Sequence, residues 1–177
     1  VESGAVTDSP AMFGNWFKPK AVLSKNGRCG MCGRRLDQAN DPLSGDCGGD
    51  CWGCIGEVEA GMGWDASVEA VRREIREGWR DHNSKARSPT ALAALEAIKQ
   101  LLRDDWDPID LMPHLPADEY DRYAIEVFSR LSAGASVFEI ANYLGEVEMT
   151  GMPDRERDLR VAQRAVTIMS APDLSQA

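Results

Sequence analysis

From Asp65 onward the apolar positions of this chain recur at helical spacing, whereas before it they follow no regular period. Val68, Val71, Ile75 and Trp79 stand three and four residues apart, which predicts a helix with Asp65 as its N-cap. Ser88-Pro89 reads as a cap followed by a first-turn proline. Behind it, Leu92, Leu95, Ile98, Leu101 and Leu102 form the stripe of a second long helix that runs to about Asp105. Prolines 108, 113 and 116 make the next stretch a connecting loop. Tyr123, Ala124, Val127, Phe128 and Leu131 then mark a helix that ends at Gly134, a residue suited to a left-handed C′ position. Ser136 and Glu139 form a capping box for a helix with Val137, Ile140, Ala141, Leu144 and Val147 on its buried face. A last helix begins near Pro153 and carries Leu159, Ala162, Ala165, Val166 and Met169. Four helices with short connections predict a small bundle.

The N-terminal part has a different character. Residues 1–20 mix Gly, Ser and Pro around Phe13, Trp16 and Phe17 and read as a tail. Residues 21–54 hold all five cysteines and many glycines, too irregular for a conventional core, so something other than burial must hold them. The expected organisation is a tail over 1–20, a zinc-binding module with a long helix over 21–82, a linker over 83–88, an acidic helical domain over 89–171 and a tail over 172–177. The fold class is mainly α: a small zinc-binding module, treble-clef or ribbon-like, followed by a four-helix domain.

Cys29-Gly-Met-Cys32 and Cys51-Trp-Gly-Cys54 are two C-x2-C pairs with 18 residues between them, inside the spacing of zinc sites. Zinc takes thiolates in a tetrahedron, and a C-x2-C turn presents two sulfurs to one side of the metal. Four such ligands leave no open position, so one structural zinc is expected, and it supplies folding free energy without Lewis-acid chemistry. The residues after Cys54 suggest that the second pair opens a short helix, the treble-clef arrangement. Cys47 complicates the set, because Cys47-x3-Cys51 also has ligand spacing and three cysteines compete for two places. An odd cysteine number argues against a disulfide framework.

Charge separates the two parts further. The chain of 177 residues carries a net charge of −9, yet residues 1–88 hold 12 basic and 13 acidic side chains, and residues 89–177 hold 8 and 16. An acidic second half repels phosphate backbones and favours a basic partner. Arg28, Arg34 and Arg35 flank the first pair and Arg72, Arg73, Arg76 and Arg80 lie on the following helix, but acidic residues interleave with them, so nucleic acid is not the expected partner. No apolar run approaches the length of a membrane span, and Val1 to Pro10 lacks the pattern of a secretion signal, so a cytoplasmic location is expected. His82 and His114 stand in no ligand or triad spacing, the glycines follow no phosphate-loop order, and the aspartates at 104, 105, 107 and 110 lack the order of a calcium loop. The reading is therefore a binding protein, not an enzyme.

Two segments resemble known sequences. Asp105-Trp106-Asp107-Pro108-Ile109, then Asp118-Glu119-Tyr120-Asp121-Arg122-Tyr123-Ala124, then Gly134-Ala135-Ser136 with Glu139-Ile140-Ala141-Asn142-Tyr143-Leu144, resemble a small bacterial all-helical family of WDP-motif type. That family is associated with immunity proteins of contact-dependent inhibition and related polymorphic toxin systems, and the resemblance covers roughly residues 90–170. It implies an immunity protein that neutralises a basic toxin domain, with Trp106, Asp118, Glu119, Tyr120, Asp121 and Tyr123 as the partner-binding residues. The segment from Asp46 to Glu57 is similar to a short cysteine motif of uncharacterised bacterial zinc-binding modules and implies no activity. The alternative reading is a zinc adaptor that binds another protein or nucleic acid.

Overall fold

The computed structural model describes residues 27–107, 116, 118–148 and 154–171. Within them the chain is helical: α1 (Trp52–Gly61), α2 (Asp65–Arg76), α3 (Pro89–Leu101), α4 (Asp121–Ser132), α5 (Val137–Val147) and α6 (Arg155–Ser170). The last turn of α3 widens into a π turn over Leu102–Trp106. Among the described residues the only β pairing is three isolated bridges, Arg28 with Arg35, Asp46 with Cys51 and Arg80 with Ala86.

Local chemistry sets the helix ends of the second half. Ser88 Oγ accepts the Ala91 N–H at 3.1 Å ahead of the first-turn Pro89. α4 closes in a Schellman motif: the Gly134 N–H reaches the Leu131 carbonyl, the Ala135 N–H reaches the Arg130 carbonyl, and Gly134 has φ +91°. Ser136 and Glu139 form the expected capping box of α5. Asp154 caps α6 by accepting the N–H groups of Glu156 and Arg157. Asp65 differs from expectation, because Trp64 takes the N-cap position of α2 and Asp65 is its first helical residue.

The bundle core is one cluster drawn from α3, the π turn, α4, α5 and α6, with Trp106 at 1% exposure among its largest members. The tryptophan ring meets Tyr120 and Tyr123 edge-on at 5.7 and 5.6 Å, and its indole N–H donates to Asp158 at 3.0 Å. The buried face of α6 is Asp158, Val161, Ala162 and Ala165, rotated from the expected stripe so that the carboxylate meets the indole; Leu159 and Met169 are only partly buried. The connection over residues 108–115, the start near Pro153, the aromatic tail over 1–20 and the tail over 172–177 lie outside the described residues.

Residues 78–87 join the two halves through dense bonding. The Asp81 N–H donates to the Lys85 carbonyl, the Arg87 N–H to Trp79, and the Arg87 guanidinium to the Gly78 carbonyl. Gly78 has φ +79°, and a Cβ there would stand 2.8 Å from both Leu95 and Ile125, so the backbone presses directly on α3 and α4. The Arg87 guanidinium lies over the Phe128 ring at 4.6 Å.

Candidate metal centre

Cys29 and Cys32 sit in a tight knuckle. The Cys29 N–H donates to the Arg34 carbonyl at 2.8 Å, the Gly33 N–H returns to the Cys29 carbonyl at 2.9 Å, and Gly33 adopts φ +76°. Cys51 precedes α1 and accepts at its carbonyl the N–H groups of Cys54 and Ile55, so Cys54 lies in the first helical turn. A bond from the Gly30 N–H to the Gly49 carbonyl at 3.1 Å ties the knuckle to the loop that leads into Cys51. A knuckle in a turn facing a second pair in a helix's first turn is the arrangement that the residues after Cys54 suggested.

These elements bring Cys29, Cys32, Cys51 and Cys54 together with all four sulfurs within 4.8 Å of one another. Cys29 Sγ stands 3.9 Å from Cys54 Sγ, and Cys32 Sγ stands 3.6 Å from Cys51 Sγ. A tetrahedron with metal–sulfur bonds of ~2.3 Å has edges of about 3.8 Å, so both separations fit four thiolates around one ion. Cys29 and Cys51 are buried, Cys54 is half-buried and Cys32 is exposed.

The protonation of this cluster also asks for a cation. Burial alone would raise the Cys29 thiol, but the backbone N–H groups of Cys51, Cys32 and Met31 outweigh it and bring it down to about 7. Burial pushes Cys51 up to about 11, with Cys32 and Cys29 adding to the rise, and burial together with Cys32 and Cys51 raises Cys54 as well. The Cys29 sulfur thus ionises more readily while Cys51 and Cys54 hold their protons. A bound divalent ion removes that conflict and releases the protons.

Cys47, which has ligand spacing to Cys51, lies outside this group: its thiol is exposed and stands 3.7 Å from the Gly45 carbonyl. The glycine-rich turns of the loop direct it away from the sulfurs while turning Cys51 inward, a choice that spacing alone left open.

Buried ion pairs surround the cluster. Arg34 binds both carboxylate oxygens of Asp41 at 2.6 Å and also reaches the Arg87 carbonyl. Glu74 accepts the Trp52 indole N–H and the Arg80 Nε–H, each at 2.5 Å, while Arg80 also donates to the carbonyls of Gly53 and Ser84. Both guanidinium groups are thereby paired with buried carboxylates inside the module, whereas Arg72 pairs with Glu69 on the surface. Glu74 was legible as a polar residue in register with Ser67 and Val71, but its partners Trp52 and Arg80 lie 22 and 6 residues away and share no local pattern with it. A cleft of ≈ 1150 Å³ opens beside the cluster, with Cys32, Cys54, Arg28, Arg35, Glu57 and Lys85 in its walls.

The expected partner-binding residues divide. Trp106, Tyr120 and Tyr123 are buried at 1%, 4% and 9% exposure, so they are core side chains and not surface anchors; packing the aromatic trio fills the space between α3, α4 and α6. Asp121 pairs with Lys99 and Arg103, and Asp118 and Glu119 are exposed. His82 is exposed. No helix among the described residues is long and apolar enough to cross a membrane. Compared with known families, curated proteins and solved structures, the chain matches none.

Proposed function

We propose that Cys29, Cys32, Cys51 and Cys54 hold one zinc ion in a structural role and that the chain acts by binding another protein, without catalysis of its own. The observation that carries the metal reading is the sulfur spacing, which suits a tetrahedral thiolate site with every position filled by protein. Such an ion fixes the knuckle to the start of α1 and leaves no coordination site for substrate. Elemental analysis of protein purified without added metal should return one zinc per chain, with Cys47 as the single thiol that reacts in the native state. A metal-free chain, or iron in place of zinc, overturns the assignment.

The partner reading rests on charge and on the WDP-type resemblance. Residues 89–177 carry most of the net charge, and a surface of that sign steers a basic partner such as a toxin domain that must be neutralised. Asp118 and Glu119 are the exposed acidic residues of the segment that the resemblance singles out. Co-purification of a basic toxin domain, lost when both are reversed to lysine, is the expected result. Salt-sensitive recovery of nucleic acid instead would overturn it. A second reading, a zinc adaptor, is favoured by a specific feature of the metal module: its exposed apolar side chains.

A further inference from the structure

Five large apolar side chains are exposed among the described residues, and four of them, Met31, Val58, Met62 and Trp64, belong to the metal module. Met31 is the tip of the knuckle between two of the sulfurs. Val58 follows Cys54 by one helical turn, and Met62, the C-cap of α1, follows Val58 by another, so Cys54, Val58 and Met62 lie on one line that begins at the cluster. The opposite side of α1 is consumed by folding: Gly53 is pressed against Leu43 and Ala86, and Gly56 against the Trp52 ring and Arg80. Val58 and Met62, by contrast, stay 45% and 60% exposed. Scattered apolar side chains on a surface need no explanation, but four gathered on a small metal-stabilised unit mark an interface, and two of them are methionines, which adapt to varied partners.

Charge identifies the occupant. The Asp50 carboxylate accepts the Met31 N–H at 3.1 Å, and the Glu59 backbone carbonyl accepts the N–H groups of Met62 and Trp64, so these two acidic residues adjoin the apolar ones. Hydrogen bonds tie three carboxylate-bearing residues into the loop beside the knuckle, Asp46 N–H to Asp37, Gly49 N–H to Asp46 and Cys47 N–H to the Asp50 carbonyl, and burial, with the charges of Glu59, Asp46, Asp37 and Asp50 adding to it, raises the Cys47 thiol. Their bonds go to neutral donors: Asp37 to the Asp46 N–H, Asp46 to the Gly49 N–H, Glu59 to the Ser67 hydroxyl. None of the four forms an ion pair within the described residues. Arg28, Arg35 and Lys85 line the cleft beside Glu57 instead.

We propose that the face formed by Met31, Val58, Met62 and Trp64, rimmed by Asp37, Asp46, Asp50 and Glu59, binds a basic amphipathic helix of a partner protein. The partner's apolar stripe seats along the exposed line of α1, and its Lys or Arg flank meets the uncompensated carboxylates. The inference rests on the zinc-stabilised binding reading, because the knuckle that carries Met31 is held by the four sulfurs.

The test titrates the full chain into a labelled Leu/Lys amphipathic peptide of about 18 residues, five helical turns, followed by fluorescence anisotropy at low and high salt. Zinc content is measured on every sample. The expected result is salt-sensitive binding that vanishes when the peptide's lysines become glutamates. Met62→Lys and Trp64→Lys, both beyond the sulfurs, should each weaken it about 30-fold, the scale of losing a central anchor. Reversing Asp118 and Glu119 to lysine, or Phe138→Lys on α5, should leave it unchanged. Equal loss from the Asp118 and Glu119 reversals would overturn the assignment in favour of general acidity. A dimer that Met62→Lys turns into a monomer would overturn it in favour of a second copy, and absence of peptide binding to the zinc-loaded chain would overturn it outright. Peptide binding that depends on Met62 in a chain without zinc would keep the face and sink only the metal reading.

Discussion

Among the described residues, the module over residues 27–88 buries only Leu36, Leu43 and Val71 as aliphatic side chains, but it also buries Arg34, Asp41, Ser44, Ser67, Glu74 and Arg80. The bundle over residues 89–171 reverses the proportion, with sixteen side chains in one apolar cluster and Lys99 and Asp158 as its buried charges. At about 25 cal/mol per Å² of apolar surface removed from water, the bundle can order itself by burial, and the module has far less to work with. Ion pairs do not close that gap, since desolvating two charges offsets much of their attraction. A unit with this inventory needs a cross-link, and the sulfur cluster is placed to provide it.

Removal of metal should break the comparison most sharply. Structural zinc contributes roughly 10–16 kcal/mol of binding free energy in small zinc-dependent folds, so chelation, or Cys51→Ser, should abolish the module's own folding. Amide exchange would then show the knuckle and α1 unprotected while α3 to α6 keep slow exchange. Retained protection of α1 after chelation would mean that the buried ion pairs suffice. In the bundle, the corresponding probe is Trp106→Ala, which empties the centre of the aromatic trio and leaves buried Asp158 with Arg157 as its partner. It should cost about 3–5 kcal/mol in denaturant unfolding and leave the metal content unchanged.

Gly78→Ala asks how tightly the two regions are joined. Its Cβ would clash with Leu95 and Ile125 at a left-handed φ, so a loss of roughly 1–3 kcal/mol is expected, with the module and bundle transitions moving apart. Transitions that stay superimposed would show that other contacts, such as Arg87 over Phe128, carry the coupling.

The smallest effect is in pH, and α6 offers both signs. The Arg157 N–H lowers the Asp154 carboxyl, so the cap's contribution is present above the ordinary carboxylate range, near about 4, and is lost as pH falls through the depressed value. Burial raises Asp158 despite Arg157 and Trp106, so its contribution is fully present below that range and is lost as pH rises through the elevated value. Asp154→Asn should therefore flatten the acid limb of the stability profile, and Asp158→Asn the rise-linked loss. Carboxyl titration by NMR that finds both groups at ordinary values would remove the distinction.

Periodicity and caps make most of the bundle legible from residue order. Ser88, Gly134, Ser136 and Glu139 act within four residues of the bonds they make, and such short-range chemistry needs no knowledge of distant neighbours. The π turn was not legible, nor was the rotation of α6, because both follow from where Trp106 finds Asp158, 52 residues away. The partner-binding assignment went astray at Trp106, Tyr120 and Tyr123 for a related reason: an aromatic residue serves a core or an interface equally well until its neighbours are known.

By itself, then, the sequence determined what local rules and metal-ligand spacing can decide: a mainly helical chain, an acidic second half, and a pair of C-x2-C turns suited to one ion. Tertiary structure decided what depends on distant residues meeting. It brought Cys29, Cys32, Cys51 and Cys54 together without Cys47, engaged Arg34 and Arg80 inside the module, and left Met31, Val58, Met62 and Trp64 facing solvent. The physical reason is that a turn, cap or stripe is set by bonds within about one or two helical turns. Burial and pairing are set by the whole chain at once.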